Sequence, residues 1–219
     1  MKNINKDEVL RRLLDCGVVA VVRMSDRQKV KSVIEAIRRG GIMCIEITMT
    51  VPGAVEIISE LALTIDRDVL LGAGTVTDEA TARAVIEAGA QFVVSPIFNP
   101  QVTALCKDLN IVCIPGCYSP TEIFAAWNAG ADIIKVFPAR NLGPQYFKDI
   151  AGPFPHVKLM PTGGVTIENV GDWVAAGAAV VGIGGELLDK KAIAEGRFEI
   201  LTEKAKTLVR NYHRAKGAA

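Results

Sequence analysis

A β-strand with a single lysine inside it is predicted for the stretch Ala131-Asp132-Ile133-Ile134-Lys135-Val136-Phe137-Pro138-Ala139. The β-branched and aromatic residues around the lysine are typical of a parallel strand that is covered on both faces. A lysine in such a strand must pair with an opposite charge, extend its amine to solvent or perform chemistry. A dry pocket disfavours the charged amine and lowers its pKa, so that the neutral amine can attack a carbonyl group. Lys135 is therefore a candidate nucleophile.

Similar strands recur on both sides of this stretch, and each is followed by a helical pattern. The sequence predicts eight strands, at residues 18–22, 44–48, 69–74, 92–95, 112–115, 133–137, 158–161 and 180–183. One amphipathic helix precedes the first strand and another closes the chain from Arg197. Alternating strands and helices form right-handed βαβ units around a parallel sheet. Eight units in 219 residues favour a (β/α)₈ TIM barrel with an extra N-terminal helix over an open doubly wound sheet.

Composition is consistent with one domain over residues 1–219 that acts on a small molecule. Half of the residues are hydrophobic, and 25 basic residues nearly balance 24 acidic ones. Without a basic stripe or a long apolar stretch, nucleic acid and membranes are not expected as partners. The polar start of the chain and the five cysteines, read as reduced thiols, predict a cytoplasmic protein. Neither cysteines nor histidines have the spacing of a metal site, and no metal is predicted.

Glycine ends the helix before each even-numbered strand. These glycines are Gly40 and Gly41, Gly89, Gly130 and Gly177. A glycine at this position can adopt the left-handed conformation that terminates a helix. The repetition is interpreted as a quarter-repeat of the barrel, and common helix capping is the alternative.

Glu46 is the acidic residue that the predicted barrel brings toward Lys135. Strand alternation places Glu46 on the inner face of the second strand, with Ile45 and Ile47 under the helices. The second and sixth strands lie opposite each other in an eight-stranded barrel, whose interior is narrow enough for side chains to meet. Burial would raise the pKa of Glu46 and suit it to move protons while Lys135 forms an imine with a ketone. A structural ion pair between the two residues is the alternative.

Glycine-rich turns follow three of the predicted strands. The turns after the seventh and eighth strands contain Thr162, Gly163, Gly164, Gly184, Gly185 and Glu186. Such turns often bind phosphate in barrels through backbone N–H groups, although simple tight turns are the alternative. The third strand ends in Gly72-Ala73-Gly74-Thr75, where the glycines would let a ligand approach the backbone and Thr75 offers a hydroxyl.

Segments in the same order along nearly the whole chain match one known family. They are Ile45–Thr48, Gly72–Val76, Ser95-Pro96, Ile134–Ala139, Ala151–Phe154 and Pro161–Gly164. Together they resemble the 2-keto-3-deoxy-6-phosphogluconate (KDPG) aldolase family, whose members also cleave 4-hydroxy-2-oxoglutarate (KHG). The resemblance implies a class I, pyruvate-forming aldolase that needs no metal or cofactor and is a homotrimer.

The resemblance also implies roles for individual residues. Lys135 would form the Schiff base and Glu46 would be the acid/base. Thr75 and Thr162 would lie in the substrate pocket. With the residues of the glycine-rich turns and of the positions discussed next, the full set of predicted substrate-binding residues is Arg23, Thr50, Thr75, Pro96, Thr162, Gly163, Gly164, Gly184, Gly185 and Glu186.

Two positions depart from the pattern of the family. Many relatives carry an arginine for the pyruvate-end carboxylate where this chain has Thr50, and Arg23 at the inward end of the first strand is the available replacement. Glu186 stands where relatives have a small or hydroxyl residue, and we expect it at the start of the last barrel helix. There its carboxylate would either repel a phosphate or turn outward. We expect broad activity in which phosphorylated substrates are still accepted.

Two other classes of protein are compatible with parts of this pattern. A phosphate-binding barrel isomerase or synthase would use Lys135 only as a charge and would form no imine. A non-catalytic barrel would bind ligands or assemble, but it would not require Glu46 opposite Lys135.

Overall fold

The computed structural model describes residues 4–218, with the side chains of residues 4–217. Residues 1–3, the first part of the polar start, and residue 219 of the predicted domain lie outside this range. The strands are β1 Val18–Val22, β2 Cys44–Thr48, β3 Leu70–Gly74, β4 Phe92–Val94, β5 Val112–Ile114, β6 Gly116–Cys117, β7 Ile134–Val136, β8 Leu159–Pro161 and β9 Val181–Ile183. The α-helices are α1 Lys6–Cys16, α2 Val30–Arg39, α3 Ala54–Thr64, α4 Glu79–Glu87, α5 Pro100–Asp108, α6 Pro120–Asn128, α7 Gly143–Ala151, α8 Val170–Ala175, α9 Lys190–Ala194 and α10 Glu199–Ala218. Short 3₁₀ helices occupy Arg27–Lys29 and Ala139–Asn141.

The strands form a parallel, curled sheet with helices on its outside. Six strands pair in the order β5-β4-β3-β2-β1-β9, and the other three pair in the order β6-β7-β8. A parallel bridge between Thr162 and Gly182 links the end of β8 to β9. The predicted fifth strand at 112–115 is confirmed as β5, which ends at Ile114 before Pro115, and a short strand that the sequence did not predict, β6, follows Pro115. Proline has no backbone N–H to donate to a sheet.

Side chains on the two faces of the sheet belong to two different hydrophobic clusters. In β1, Val18, Ala20 and Val22 pack in the larger cluster under the helices, whereas Val19 belongs to the inner cluster. In β2, Ile45 and Ile47 face the helices and Cys44 faces inward. Because strand side chains alternate with period two, Glu46 and Thr48 share the inner face with Cys44. The predicted orientation of the second strand is confirmed.

Helix α1 packs on the inner cluster at the N-terminal ends of the strands. Its side chains Val9 and Leu13 are buried in that cluster together with Val19, Leu70 and Phe92. Asn5 caps the start of the helix by accepting a hydrogen bond from the N–H of Glu8, and Gly17 ends it in the left-handed conformation. This end of the sheet is therefore filled by apolar side chains.

One glycine before each of β2, β4, β7 and β9 has the predicted left-handed conformation, whereas Gly40, with a φ angle of −81°, does not. The φ angles of the left-handed glycines are +96° at Gly41, +107° at Gly89, +101° at Gly130 and +95° at Gly177. Each glycine follows the last residues of α2, α4, α6 or α8. The predicted left-handed helix ends are confirmed at these positions.

None of the helices in the part of the chain that the structure describes has the length and apolar character that crossing a bilayer requires.

We predict that Leu13→Ala lowers the free energy of unfolding by about 2–5 kcal/mol, because it leaves a cavity under α1. Leu13 is fully buried, whereas Leu63 of α3 is 80% exposed and provides a matched control. Leu63→Ala should change the free energy of unfolding by less than about 0.5 kcal/mol. Urea denaturation of both variants measures the difference. Equal losses would contradict the packing of α1 on the inner cluster.

Candidate active site

A cavity of about 820 Å³ lies at the C-terminal ends of the strands. Its walls come from residues that follow β1, β2, β7, β8 and β9. The predicted site residues that line it are Arg23, Thr50, Lys135, Thr162, Gly163, Gly184 and Gly185. The volume is in the range of sites that bind small molecules.

Lys135 is buried in the centre of β7 and faces this cavity. It is 4% exposed, and its neighbours in the sheet are Gly116 of β6 and Met160 of β8. Its Nζ atom lies 5.2 Å from the centre of the Phe137 ring. Burial lowers the pKa of Lys135, the negative charge of Glu46 opposes that change, and the positive charge of Arg23 adds to it. The amine is therefore deprotonated more easily than that of an exposed lysine.

Glu46 is fully buried on the inner face of β2. Neither of its carboxyl oxygens has a hydrogen-bond partner among the described residues. Burial raises the pKa of Glu46, and the positive charges of Lys135 and Arg23 partly oppose the rise. A carboxyl group with a raised pKa keeps a proton more readily than an exposed one and is suited to act as an acid/base.

Glu46 and Lys135 affect each other's pKa without forming an ion pair. The ion pairs of the described residues do not include these two, and the carboxylate of Glu46 has no hydrogen-bond partner there. For both groups burial is the largest influence on the pKa. The alternative that the sequence leaves open is a structural ion pair between these two residues. Within residues 4–218 Glu46 and Lys135 do not form one.

The glycines of β3 make room for inward-facing side chains. A side chain at Gly72 would overlap the ring of Phe92, and one at Gly74 would overlap the carboxylate of Glu46. The expectation that these glycines expose the backbone to a ligand is wrong, because the two side chains already cover them. Gly74 is instead part of the wall that fixes the position of Glu46.

Arg23 is the cation that stands near the two buried groups. Its guanidinium donates a hydrogen bond of 3.3 Å to Oγ1 of Thr75, whose backbone is left-handed with φ of +59°. Thr75 does not line the cavity, but it holds the guanidinium of Arg23, which does. Thr50 lines the cavity, and its hydroxyl is 2.7 Å from that of Thr48.

The turn after β8 presents one buried hydroxyl and two left-handed glycines. Thr162 is 7% exposed, and its Oγ1 has no hydrogen-bond partner among the described residues. Gly163 and Gly164 have φ angles of +80° and +100°. Gly163 lines the cavity, whereas Gly164 packs against the backbone of Arg140 and lies behind the wall.

Pro96 and Glu186 do not line the cavity. The backbone of Pro96 packs against Gly116 at the start of β6. Glu186 lies in a turn after β9, and its carbonyl oxygen accepts a hydrogen bond from Lys204. The expectation that Glu186 starts the last barrel helix is wrong: α9 begins at Lys190, because the carboxylate of Asp189 accepts the N–H of Ala192 and caps the helix there.

Sequence reasoning missed several residues in the cavity wall. They are the basic residues Lys29, Arg140 and Lys190, the acidic Asp26 and the aromatic Phe137. The four charged residues follow β1, β7 or β9, either before the next α-helix or, for Lys190, at its first residue. Phe137 directly follows β7. A survey of every charged residue in those segments would have found the four charged ones. In residues 4–218 no group of three His, Cys, Asp or Glu side chains is arranged to hold a metal ion.

Comparisons with known proteins show the family to which this chain belongs. The family model described as "Aldolase: KDPG and KHG aldolase" matches residues 9–203. The chain belongs to the KDPG and KHG aldolase family. A 2-dehydro-3-deoxy-phosphogluconate aldolase of Treponema pallidum is 37% identical over 196 residues, which cover 89% of this chain and 91% of that protein. A KHG/KDPG aldolase of Escherichia coli is 31% identical over 194 residues, which cover 88% of this chain and 90% of that protein.

A solved structure of the family supplies a chemical parallel. It is the KDPG aldolase from Legionella pneumophila with pyruvate captured as a covalent carbinolamine intermediate. Its TM-score with this chain is 0.84 at 29% identity, with 94% of this chain and 98% of that one covered. This chain is an aldolase, and covalent class I chemistry is favoured over the alternative of an isomerase or synthase without an imine.

We predict that two substitutions shift the titration of Lys135 in opposite directions. Glu46→Gln removes a negative charge and should lower the pKa of Lys135 further below its ordinary value of 10.5, whereas Arg23→Gln removes a positive charge and should raise it. Labelling with acetic anhydride across a pH series, followed by mass spectrometry, measures the titration. The peptide with the exposed Lys191 corrects for reagent decay. Shifts in the same direction would contradict this electrostatic arrangement.

Proposed function

We propose that this protein is a class I aldolase that cleaves 2-keto-3-deoxy-6-phospho sugar acids and 4-hydroxy-2-oxoglutarate. The products are pyruvate with glyceraldehyde 3-phosphate in the first case and with glyoxylate in the second. The observation that carries the proposal is Lys135, which is almost fully buried, has a lowered pKa and faces a cavity beside Glu46. Membership of the KDPG and KHG aldolase family supports the same reaction.

Imine formation begins with the neutral amine of Lys135. Its nitrogen attacks the C2 ketone of the substrate, and the ketone oxygen takes up a proton to give a carbinolamine. This oxygen then leaves as water, and the nitrogen retains a proton as a cationic imine. Glu46 is proposed to supply and remove the protons of these steps, since its raised pKa lets it carry a proton into the dry site.

Cleavage uses the imine as an electron sink. The C4 hydroxyl loses its proton to Glu46, the C3–C4 bond breaks, and its electron pair moves through C3 and C2 to the imine nitrogen. The aldehyde leaves, and the enamine on Lys135 takes a proton at C3. Water then hydrolyses the imine, which releases pyruvate and regenerates the free amine. No oxidant or cofactor is needed to balance these steps.

The two ends of the substrate are proposed to meet different groups. Arg23 affects the pKa of both Lys135 and Glu46, so that it suits the carboxylate beside the ketone. Thr50 and Thr75 carry no charge and are proposed to orient this end by hydrogen bonding, Thr75 through Arg23. Pro96 is proposed to shape the pocket through its packing on Gly116.

The distal end of the substrate is assigned to the turns after β8 and β9. The unpartnered hydroxyl of Thr162 and the backbones of Gly163, Gly184 and Gly185 line the cavity there, and Gly164 supports the turn from behind. Glu186 lies outside the cavity wall, which supports the acceptance of phosphorylated substrates. Glu186 is therefore proposed to tune this end only indirectly.

The architecture and assembly of the family are proposed for this chain as well. The bridge between Thr162 and Gly182 and the inner cluster under α1 support a closed eight-stranded barrel that forms one domain over residues 1–219. The exposed apolar side chains Ile97, Tyr118 and Phe124 support contacts between copies in a homotrimer. The five free thiols support a location in the reducing cytoplasm.

Borohydride reduction in the presence of pyruvate tests the covalent step. The peptide that contains Lys135 should gain one pyruvate-derived mass. The loss of activity should be proportional to the fraction of protein that carries this label. Lys135→Arg should abolish both labelling and turnover, because guanidinium groups stay protonated and do not form imines. Lys191→Arg is the control and should keep both. Full activity with an unmodified Lys135 peptide would rule out the mechanism.

Glu46→Gln separates proton transfer from binding. The variant should keep the fold and still permit some imine trapping, while turnover falls by roughly 10²-fold or more, since a positioned acid/base contributes about that much. Single-turnover kinetics measure the cleavage step directly. A near-normal rate would reduce Glu46 to a structural neighbour of Lys135.

A further inference from the structure

The charges that line the cavity are strongly unequal. Its basic residues are Arg23, Lys29, Lys135, Arg140 and Lys190, and its acidic residue is Asp26. Asp26 lies 3.7 Å from Lys29, and Lys29 also donates a hydrogen bond of 2.9 Å to the carbonyl of Ala194. Asp26 and Lys29 therefore balance each other at the rim of the cavity.

Two of the other cations are already accounted for near the reaction centre. Lys135 is assigned to imine formation, and Arg23 is held by Thr75 close to the two buried groups. Arg140 and Lys190 remain. Neither side chain takes part in an ion pair or a hydrogen bond in residues 4–218, although both line the cavity. Two uncompensated cations in one wall of a cavity attract an anionic group.

The fold fixes Arg140 against the turn after β8. Arg140 follows β7, and its backbone is in direct contact with Gly164, where any side chain would overlap it. The N–H of Ala139 donates a hydrogen bond of 2.9 Å to the carbonyl of Thr162. The start of the Arg140 side chain is thus held beside the turn after β8.

The fold places Lys190 on the other side of that turn. The N–H groups of Leu187 and Leu188 both donate to the carbonyl of Gly184, which folds the segment before Lys190 over the turn after β9. The neighbouring Asp189 caps α9 and forms an ion pair of 3.1 Å with Lys204. Its charge is therefore matched by Lys204, and Lys190 is left without an acidic partner.

We infer that Arg140 and Lys190 determine substrate specificity by binding a terminal phosphate at the far end of the substrate from the imine. This inference rests on the proposed function. The strand order supports this position of the phosphate. Strand β8 pairs with β7 and is bridged to β9, so that the segments with Arg140 and Lys190 lie on either side of the turn after β8. Gly163, Gly184 and Gly185 line the same cavity as the two cations. The planar guanidinium of Arg140 can bind two phosphate oxygens at once, and Lys190 adds a point charge.

Substrate length makes this assignment selective. A six-carbon 2-keto-3-deoxy-6-phospho sugar acid carries its phosphate on C6, the last carbon of the fragment that leaves as the aldehyde. In 4-hydroxy-2-oxoglutarate the second carboxylate is attached directly to the carbon that bears the hydroxyl group. This shorter molecule lacks the C6 phosphate, so that we expect it to depend little on the cations after β7 and β9. The two substrates therefore depend differently on Arg140 and Lys190.

The test is kcat/KM for both substrates in Arg140→Ala, Lys190→Ala and the double variant. Each single change should lower the value for the phosphorylated substrate by about 10- to 100-fold, the usual worth of a charged hydrogen bond, with most of the loss in KM. For 4-hydroxy-2-oxoglutarate, kcat/KM should change by less than about threefold. Arg140→Lys should recover part of the loss, because it restores the charge without the two-point geometry.

Matched controls separate this assignment from a general loss of positive charge. Lys191→Ala removes the exposed neighbour of Lys190, and Arg67→Ala removes an exposed arginine that lies between α3 and β3; neither residue lines the cavity. Both controls should leave the two substrates unchanged. Equal losses for both substrates in the Arg140 and Lys190 variants, or no loss for either, would overturn the inference.

Borohydride trapping distinguishes this inference from the proposed function. Pyruvate has no distal anion, so that trapping on Lys135 should be the same in wild type and in the Arg140 and Lys190 variants. If wild type is not trapped, the Schiff-base function itself fails. If all proteins are trapped and the phosphorylated substrate is cleaved equally well by all of them, only the assignment of Arg140 and Lys190 fails.

Discussion

The burial of two oppositely charged residues that are not paired with each other is the constraint on which the site depends. Lys135 and Glu46 lie inside an apolar sheet, where each charge is costly. A hydrogen-bonded ion pair would keep both groups charged. Exposure to water would screen their charges and leave both pKa values close to their ordinary values. Since neither compensates the other completely, the amine moves toward its neutral form and the carboxyl toward its protonated form. Burial of these two groups costs stability, and the same burial favours the neutral amine that imine chemistry requires.

The surrounding sequence keeps this arrangement in place by packing. Gly74 leaves the space that the Glu46 carboxylate occupies, and Gly72 does the same for the ring of Phe92 in the layer below. At the opposite end, Val9 and Leu13 of α1 cover the inner cluster with apolar side chains. One end of the sheet therefore contributes stability, while the other end holds the cavity and its charges.

The same separation explains the distribution of cations in the cavity. Arg23 is close enough to affect the pKa of Lys135, whereas Arg140 and Lys190 are held by the segments after β7 and β9. Charge near the amine adjusts its protonation, and the two cations that do not affect its pKa are the ones proposed to bind the substrate. Because these positions are in segments between strands and helices, they can vary without changes in the core.

The sequence by itself determined the parallel αβ pattern, the inward face of β2, the left-handed glycines and the family, because each depends on local periodicity or on a short motif. Tertiary structure decided the rest. The role of Gly74 depends on a side chain in the neighbouring strand, and the additional short strand β6 depends on its pairing with β7. Glu186 lies in the turn before α9 and outside the cavity wall, whereas Arg140 and Lys190 line the same cavity only once β7, β8 and β9 are adjacent. Contacts between residues distant in sequence are set by packing, which no local pattern encodes.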